Sequence, residues 1–296
     1  MGNPLVSIII PTYNHAHFLG AALDSVLKQT FADWEAIVID NFSDDDTVRV
    51  VESFADPRVR LVQFANQGVI AASRNHGIAL TFAPYVAFLD SDDTWQPEKL
   101  ALSLEKLHAG FDLVCHAETW VGPGKRRREV MYGPRERASY EMLLFEGNCI
   151  STSAVVVARK LLEQAGCFSE NPAFNTAEDY DLWLKLVAQG ARVEFITRVL
   201  GDYLIHDTNQ SKAPLRNMQA VESVVEHHLK QLPPGIVSAQ RLARRRGIIY
   251  YSGARSLQAA GQFSKAWVYY WKALRLNPGR MQTWGAMLFN ALRLVR

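Results

Sequence analysis

Three aspartates follow a run of apolar residues in the first third of the chain. Residues 85–89 are Tyr-Val-Ala-Phe-Leu, which predicts a buried strand, and Asp90-Ser91-Asp92-Asp93 comes next. Because side chains alternate along an extended strand, Asp90 and Asp92 are expected to point the same way. Carboxylate oxygens are ligands that Mg²⁺ and Mn²⁺ prefer. The spacing therefore predicts a divalent metal site that would carry a diphosphate. The alternative is a helix N-cap, since a segment typical of a helix start begins at Asp93.

Composition places the chain among ordinary globular proteins. It has 296 residues, 48% of them hydrophobic and 21% charged, which suits one large domain with an appendage or two modest domains. No apolar run of about 18 residues is present, which predicts no transmembrane helix, and a signal peptide's basic region is lacking. The cysteines Cys115, Cys149 and Cys167 have no metal-ligand spacing. They favour reduced thiols in a cytoplasmic protein.

The first hundred residues alternate predicted strands and helices with short connections. Strands are predicted over 5–10 (stopped by Pro11), 34–39, 59–63 and 85–89, and helices over 18–28, 45–54, 68–80 and 97–108. Such alternation predicts an α/β fold with a parallel sheet flanked by helices. Ligands of these sheets bind beyond the carboxyl ends of the strands. The site is therefore expected to gather the segments 11–14, 40–45 and 90–93.

Two side chains near this edge each have two interpretations. Asp40 ends the second predicted strand, and its carboxylate suits the imide N–H of a uracil or thymine base. Alternatively, Asp40 belongs to a loop that only caps the following helix. Arg74 lies near the start of the third predicted helix, where it would meet the base or the phosphates. Alternatively, Arg74 is an exposed helical arginine.

Charge is distributed unevenly along the chain. Residues 235–296 contain eleven Lys or Arg and no Asp or Glu, which leaves 21 basic and all 30 acidic side chains in residues 1–234. Apolar spacing predicts tail helices over 236–260, 263–276 and 281–294, partly similar to one tetratricopeptide repeat. One repeat cannot bury its own apolar face. The tail is therefore expected to pack on the rest of the chain or on a second copy, giving a homodimer.

The basic tail allows two interpretations of its surface. It is either a helical cap that keeps the protein soluble, or a surface for peripheral contact with anionic lipid at the inner face of the plasma membrane. Aromatic side chains that favour lipid contact are Trp267, Tyr269, Tyr270, Trp271 and Trp284. Nucleic acid would suit the charge, but no nucleic-acid-binding motif accompanies it, so none is expected as a partner.

Five motifs, taken together and in order, resemble the family 2 glycosyltransferases. They are Val6-Ser7-Ile8-Ile9-Ile10-Pro11-Thr12-Tyr13-Asn14, Ile39-Asp40-Asn41-Phe42-Ser43-Asp44-Asp45, Ala72-Ser73-Arg74-Asn75-His76-Gly77, Phe88-Leu89-Asp90-Ser91-Asp92-Asp93 and Glu178-Asp179-Tyr180. The resemblance implies a GT-A fold with a mostly parallel central sheet and, here, a C-terminal helical appendage. We expect a catalytic domain over 1–212, with its nucleotide-sugar half over 1–110 and its acceptor half over 111–212. Residues 213–296 would form the basic helical region.

The resemblance also implies roles for individual residues. Asp92 would be the direct ligand of Mn²⁺ or Mg²⁺, with Asp90 beside it in the metal shell or on the ribose. Asp179 would be the general base of an inverting transfer, deprotonating the acceptor hydroxyl. The residues that would bind substrate are Pro11, Thr12, Tyr13, Asp40, Arg74, Asp90 and Glu178.

His206 is a further candidate ligand for the metal or the diphosphate. Relatives often end the catalytic domain with a Tyr-Arg-x-His type of segment, and here Leu204 occupies the arginine position. One cationic phosphate contact is therefore expected to be missing. The alternative interpretation of His206 is a histidine in a surface loop.

The leading interpretation is an inverting, metal-dependent glycosyltransferase. It would move a sugar from a UDP- or dTDP-sugar to a saccharide or lipid-linked acceptor in the synthesis of a bacterial surface polysaccharide. A rival is a catalytically silent nucleotide-sugar-binding protein whose helical tail recruits partners. A second rival is a nucleotidyltransferase or a dinucleotide-binding enzyme. The turn after the first predicted strand has no Gly-rich phosphate loop, which argues against a Rossmann dehydrogenase.

Overall fold

The computed structural model describes residues 3–122, 124, 126–206 and 213–293. The chain forms two compact units. The first consists of Met1–Ser139, Cys149–Glu170 and Leu182–His206, and the second of Tyr140–Asn148, Asn171–Asp181 and Asp207–Arg296. The second unit thus takes in two segments from the first 212 residues. The expected domain boundary at 212 falls beside 207–212, which are outside the described residues, and it stays a prediction.

Within its described residues, the first unit is built on a nine-stranded mixed sheet. Its strands are β1 (Val6–Thr12), β2 (Trp34–Asp40), β3 (Val59–Gln63), β4 (Tyr85–Phe88), β5 (Thr94–Trp95), β6 (Leu113–Val121), β7 (Arg127–Val130), β8 (Val155–Ala158) and β9 (Val193–Leu204). The order is β3-β2-β1-β4-β8-β6-β9-β5, and β7 pairs with β6. The strands β3, β2, β1 and β4 are parallel, as the alternating pattern predicts. The strand β8 is antiparallel to β4 and β6.

The central strand β1 runs two residues further than expected. It includes Pro11 and ends at Thr12, so the prediction that Pro11 stops the strand is wrong. The carbonyl of Ile9 accepts from Leu89 on the β4 side, whereas the carbonyl of Thr12 accepts from Asn41 on the β2 side. By alternation, Pro11 faces the β4 side, where pairing has already ended. A proline there costs no ladder hydrogen bond.

Helices cover the sheet of the first unit. They are α1 (Ala16–Leu27), α2 (Thr47–Ser53), α3 (Ile70–Ala79), α4 (Lys99–His108), α6 (Arg159–Gln164) and the part of α7 (Glu178–Ala188) from Leu182 onward. The helix predicted from residue 97 begins at Lys99, because Thr94 and Trp95 form β5 and pair with β9. The helix α3 approaches β1 closely: a Cβ at Gly77 would lie 2.6 Å from Ile9 Cγ2.

The second unit is helical. It contains α5 (Tyr140–Glu146), the first turn of α7, α8 (Pro214–Lys230), α9 (Ala239–Ala259), α10 (Phe263–Leu276) and α11 (Met281–Ala291). The three predicted tail helices are thus confirmed as α9, α10 and α11, although residue 294 is outside the described part. Tyr270, Leu257 and Met287 belong to the core where these helices meet. Among the described helices, none is both long and apolar enough to span a membrane.

Candidate functional site

The acidic segment after β4 is a turn. The strand ends at Phe88, and the backbone N–H of Asp93 donates to the carbonyl of Asp90 at 3.0 Å. The expected strand alternation of Asp90 and Asp92 is therefore wrong, because the chain bends where it was expected to stay extended. The two carboxylates contact different partners, one on α3 and one after β9. The carboxyl end of β4 still presents both acids, as the sequence predicts.

Asp92 and His206 form a close pair in the first unit. Asp92 Oδ2 lies 2.8 Å from His206 Nε2, and both side chains are largely buried. Burial raises the pKa of Asp92, and the negative charge of Asp90 raises it further. The ring of Phe18 packs 4.5 Å from the ring of His206, measured between centroids. His206 is therefore part of the acidic site, which contradicts the alternative of a surface-loop histidine.

His15 also belongs to this site, and sequence reasoning missed it. Its Nδ1 lies 2.9 Å from Ser91 Oγ, and its ring centroid lies 5.8 Å from that of His206. Burial lowers the pKa of His15, while the negative charge of Asp92 opposes that effect. The signal available in the sequence was its position just beyond the carboxyl end of β1, next to the strand that carries the acids.

Arg74 is buried and paired with Asp90. Its side chain is only 4% exposed, and Nη2 lies 2.8 Å from Asp90 Oδ1. The guanidinium also lies over the ring of Phe168, 5.4 Å from its centroid. The interpretation of Arg74 as an exposed helical arginine is therefore wrong. A charge-assisted hydrogen bond of this kind holds the carboxylate of Asp90 in one orientation.

Asp40 organises the loop that follows β2. It is 0% exposed, and its oxygens accept from the backbone N–H of Ser43 at 3.1 Å, from Ser43 Oγ at 2.5 Å and from Gln63 Nε2 at 3.3 Å. Ser43 Oγ in turn accepts from the backbone N–H of Asn14 at 2.8 Å. These bonds tie the loop after β2 to the loop after β1. Recognition of a base by Asp40 stays a prediction.

Neighbouring residues complete the loops at this edge of the sheet. Pro11 and Thr12 are buried, whereas Tyr13 is half exposed. Within the described part of the chain, Thr12 Oγ1 is buried and has no hydrogen-bond partner. The start of α2 is served by Asp45, whose Oδ1 accepts from the backbone N–H of Thr47 at 3.0 Å. Asp40 is therefore not needed as a helix cap, and the unpartnered hydroxyl of Thr12 suits a polar ligand.

Asp92 and His206 are the candidate ligands for a divalent metal. In the described parts of the chain, no group of three or more His, Cys, Asp or Glu side chains is arranged to hold a metal ion. Asp92 and His206 nevertheless supply a carboxylate and an imidazole at one point, with Asp90 close enough to act on Asp92. Mg²⁺ and Mn²⁺ at phosphate sites are commonly held by one or two protein ligands together with substrate oxygens. The residues present fit a metal that is shared with a diphosphate.

A second set of acids is buried next to the acidic turn. Asp93 accepts from Ser153 Oγ at 2.6 Å and from the backbone N–H of Leu204 at 3.0 Å, and burial raises its pKa well above the usual range. Glu118 accepts from the hydroxyl of Tyr132 at 2.6 Å, and burial raises its pKa to about 7. Asp93 is therefore not a helix cap. The site carries less negative charge than its number of carboxylates indicates.

Glu178 and Asp179 lie in the first turn of α7, within the second unit. Glu178 is buried, and its Oε2 accepts from the backbone N–H of Thr176 at 2.8 Å. Asp179 is half-buried, and its Oδ1 accepts from the backbone N–H of Tyr180 at 2.7 Å. A carboxylate in a first helical turn is stabilised in its ionised form by the helix dipole. The roles predicted for these two residues stay predictions.

Comparisons with known proteins agree with this fold. The sequence model of glycosyl transferase family 2 matches residues 7–164, more than half of the chain. A curated relative, the UDP-Glc:alpha-D-GlcNAc-diphosphoundecaprenol beta-1,3-glucosyltransferase WfgD of Escherichia coli, is 33% identical over 63% of this chain and 71% of its own length. The putative teichuronic acid biosynthesis glycosyltransferase TuaG of Bacillus subtilis is 29% identical over 68% of this chain and 79% of its own length.

Solved structures share the fold at lower sequence identity. Staphylococcus aureus TarS 1–349 in complex with UDP-GlcNAc has a TM-score of 0.65 and 17% identity, covering 98% of this chain and 88% of its own. The mannosyltransferase PcManGT of Pyrobaculum calidifontis, in complex with GDP-Man and Mn²⁺, has a TM-score of 0.64 and 20% identity, covering 99% and 86%. The predicted GT-A fold is confirmed, and the chain belongs to glycosyl transferase family 2.

Proposed function

We propose that this family 2 member is an inverting, metal-dependent glycosyltransferase that uses a UDP- or dTDP-sugar. The acceptor would be a saccharide or a lipid-linked saccharide in the synthesis of a bacterial surface polysaccharide. The observation that carries the proposal is the acidic turn after β4, in which Asp92 is paired with His206 and Asp90 is paired with Arg74. The curated relatives support it, since WfgD is named for UDP-Glc and a diphosphoundecaprenol acceptor. The rival, a catalytically silent binding protein, receives no support from these comparisons.

Asp92 and His206 are proposed to hold the divalent metal together with the donor's diphosphate. When bound, such a cation offsets the negative charge that develops on the leaving diphosphate. Arg74 would keep Asp90 beside the metal shell or the ribose through its 2.8 Å contact. Thr12, with its unpartnered hydroxyl, and Tyr13 would contact the nucleoside. A structural neighbour that contains Mn²⁺ supports metal use by this fold.

Asp179 is proposed to be the general base, with Glu178 contacting substrate beside it. Inversion takes place in one displacement at the anomeric carbon, so a single carboxylate must take the proton of the attacking hydroxyl. The first turn of α7 suits this task, because the helix dipole favours the ionised carboxylate there. Half-burial leaves part of the Asp179 side chain exposed to a substrate.

Calorimetric binding of UDP, dTDP and GDP, each with Mn²⁺ and with EDTA, tests the donor and metal assignments. We expect Mn²⁺-dependent binding of UDP or dTDP, and we expect Asp92→Ala to abolish it. Asp179→Asn should bind the nucleotide normally and lose sugar transfer, because the base acts only on the acceptor. Nucleotide binding that is equally strong in Mn²⁺ and in EDTA would contradict the metal assignment. Loss of binding in both variants would contradict the role of Asp179.

The basic tail is proposed to contact anionic lipid through α10 and α11. Four apolar side chains at helical spacing along and just after α11 are between 48% and 78% exposed, namely Met281, Trp284, Leu288 and Leu292. On α10, Val268 and Trp271 are also exposed, among exposed Lys265, Lys272 and Arg275. Residues 235–296 carry no acidic side chain. Apolar and cationic groups without acids suit a negatively charged lipid surface, whereas like charges oppose self-association.

Vesicle co-sedimentation tests the lipid contact. The protein should bind vesicles that contain phosphatidylglycerol, bind less as salt increases, and ignore vesicles of phosphatidylcholine alone. Leu288→Glu should weaken binding, whereas Phe82→Glu, a change at an exposed apolar residue of the first unit, should not. The outcome that contradicts lipid contact is a protein that binds neither kind of vesicle and sediments as a dimer, while Leu288→Glu sediments as a monomer. That result would show that a second copy of the chain covers this face instead.

A further inference from the structure

We propose that three side chains of the C-terminal helices position the Asp179 base: Asn217 and His228 of α8 and Arg245 of α9. This inference rests on the proposed function, in which Asp179 deprotonates the acceptor. All the residues involved belong to the second unit. Sequence reasoning treats these helices as an appendage, yet they supply the partners of the segment that carries the base.

Asn217 holds the loop that leads into α7. Its Nδ2 donates to the carbonyl of Thr176 at 2.8 Å, and the backbone N–H of Thr176 donates to Glu178 Oε2 at 2.8 Å. Thr176 has a φ of +87°, a conformation that a β-branched residue rarely adopts. Such a backbone persists only where the surrounding contacts enforce it. The contact from Asn217 therefore helps to set the point at which α7 begins.

Arg245 holds the residue after the base. The hydroxyl of Tyr180 donates to the carbonyl of Leu143 at 2.6 Å and accepts from Arg245 Nη2 at 3.1 Å. Tyr180 and Arg245 are 2% and 3% exposed, so this contact is shielded from water. Gly147 lies next to the guanidinium, since a Cβ there would be in ordinary contact with Arg245 Nη1 at 3.5 Å. One buried hydroxyl thus joins α5, α7 and α9.

His228 holds the second residue after the base. Its Nε2 lies 3.0 Å from Asp181 Oδ1, and both side chains are 2% exposed. The other ring nitrogen, Nδ1, lies 3.2 Å from the hydroxyl of Tyr140 on α5. Both nitrogens of the imidazole are therefore engaged. Asp181 cannot rotate without leaving a buried polar group of His228 without its partner.

The half-buried Asp179 lies between these anchored positions. The segment 176–181 is held at Thr176, at Tyr180 and at Asp181 by side chains from α8 and α9. Buried polar networks of this kind are costly, and apolar packing often stabilises a fold equally well. They fix one geometry, however, and displacement of a reacting group by about 1 Å can lower a rate by roughly 100-fold. The network suits a segment whose exact placement sets a rate.

The principal test is Arg245→Met, with Arg246→Met as the matched control. Arg245→Met should lower kcat about tenfold or more and leave the donor KM and the nucleotide Kd unchanged, because the nucleotide contacts belong to the first unit. Arg246 is adjacent, exposed, and 3.6 Å from Glu226, so its replacement should leave kcat unchanged. The calorimetric stoichiometry of nucleotide binding gives the folded fraction of each variant. Arg245→Lys should recover part of kcat, since it keeps one cationic donor.

A double-mutant cycle separates positioning from general stability. If Arg245 acts through the hydroxyl of Tyr180, the losses in kcat from Arg245→Met and Tyr180→Phe should not add in the double variant. Additive losses, an unchanged kcat in Arg245→Met, or an equal loss of nucleotide binding would overturn the inference.

Asp179→Asn distinguishes this failure from failure of the proposed function. If Asp179→Asn abolishes transfer while Arg245→Met transfers normally, only the positioning role is wrong. If Asp179→Asn transfers normally, or if the unsubstituted protein transfers no sugar, the assignment of the base is wrong and the positioning role falls with it.

Discussion

Glu118 should make the stability of the first unit depend on pH in a direction that is unusual for a carboxylate. It is 1% exposed, and its pKa is raised to about 7, first by burial and also by the negative charge of Asp90. Hydrogen bonds from Tyr132 and Ser151 oppose the increase without cancelling it. The folded protein therefore keeps this proton at pH values where an ordinary glutamate has lost it.

The size of the effect follows from the two pKa values. In the unfolded chain the ordinary pKa is 4.5, so between pH 4.5 and about 7 the unfolded state binds fewer protons than the folded state. The free energy of unfolding must then fall as pH rises through this range. The difference between the two pKa values of Glu118 corresponds to about 3 kcal/mol of unfolding free energy at 25 °C. The stabilisation from the protonated Glu118 is present at pH 4.5 and is lost above pH 7.

Glu118→Gln isolates this contribution, because glutamine can still accept from the hydroxyl of Tyr132 but does not titrate. Urea unfolding of both proteins in EDTA, from pH 4.5 to pH 8, gives the difference in unfolding free energy, in which other titrating groups cancel. As the pH rises from 4.5 to 8, the unfolding free energy of the variant should increase by about 3 kcal/mol relative to that of the wild type. Glu129→Gln, at an exposed position of β7, is the control and should show no such trend. A Glu118→Gln difference that stays constant with pH would refute the buried, protonated glutamate.

Two further substitutions test the packing of α3 and the metal site. Gly77→Ala places a Cβ 2.6 Å from Ile9 Cγ2 and should destabilise the protein by about 1–3 kcal/mol. The control, Gly285→Ala, places a Cβ in open space on a helix and should stabilise the protein by up to about 1 kcal/mol. Equal melting temperatures for the two variants would contradict the close approach of α3 to β1. His206→Ala should weaken Mn²⁺-dependent UDP binding about tenfold or more, because it removes the imidazole beside Asp92. An unchanged affinity for UDP in the presence of Mn²⁺ would exclude His206 as a ligand.

Local sequence patterns were sufficient to predict the parallel strands β1 to β4 and the helices between them. The strands β1 to β4 are short apolar runs between turn residues, and the helices between them carry apolar side chains at helical spacing. The same holds for α9, α10 and α11 in the tail. These signals are local, because an element must bury one face or both faces whatever it packs against. The alternation of strands and helices then leaves few arrangements of the sheet.

Elements that depend on distant partners were beyond local reasoning. Thr94 and Trp95 pair with Asp202 and Gly201, more than a hundred residues later, so a segment with a helix-like pattern became a strand. The turn at Asp90–Asp93 was expected as an extension of β4. Its conformation depends on Ser153 and Leu204, which lie in other segments of the chain and donate hydrogen bonds to the buried Asp93. No window of sequence around residue 90 contains these partners.

The sequence by itself determined the class of fold, the family and the identity of the acids and histidine that would carry the chemistry. Only the tertiary structure decided which side chains contact one another: Arg74 contacts Asp90, His206 contacts Asp92, and Arg245 contacts Tyr180, the neighbour of the proposed base. The sequence gives the type of each residue, whereas its burial, its pKa and the orientation of its side chain depend on which segments of the chain pack together. The energy of a charge in a protein is set by its surroundings, and those come from parts of the chain that lie far apart in sequence.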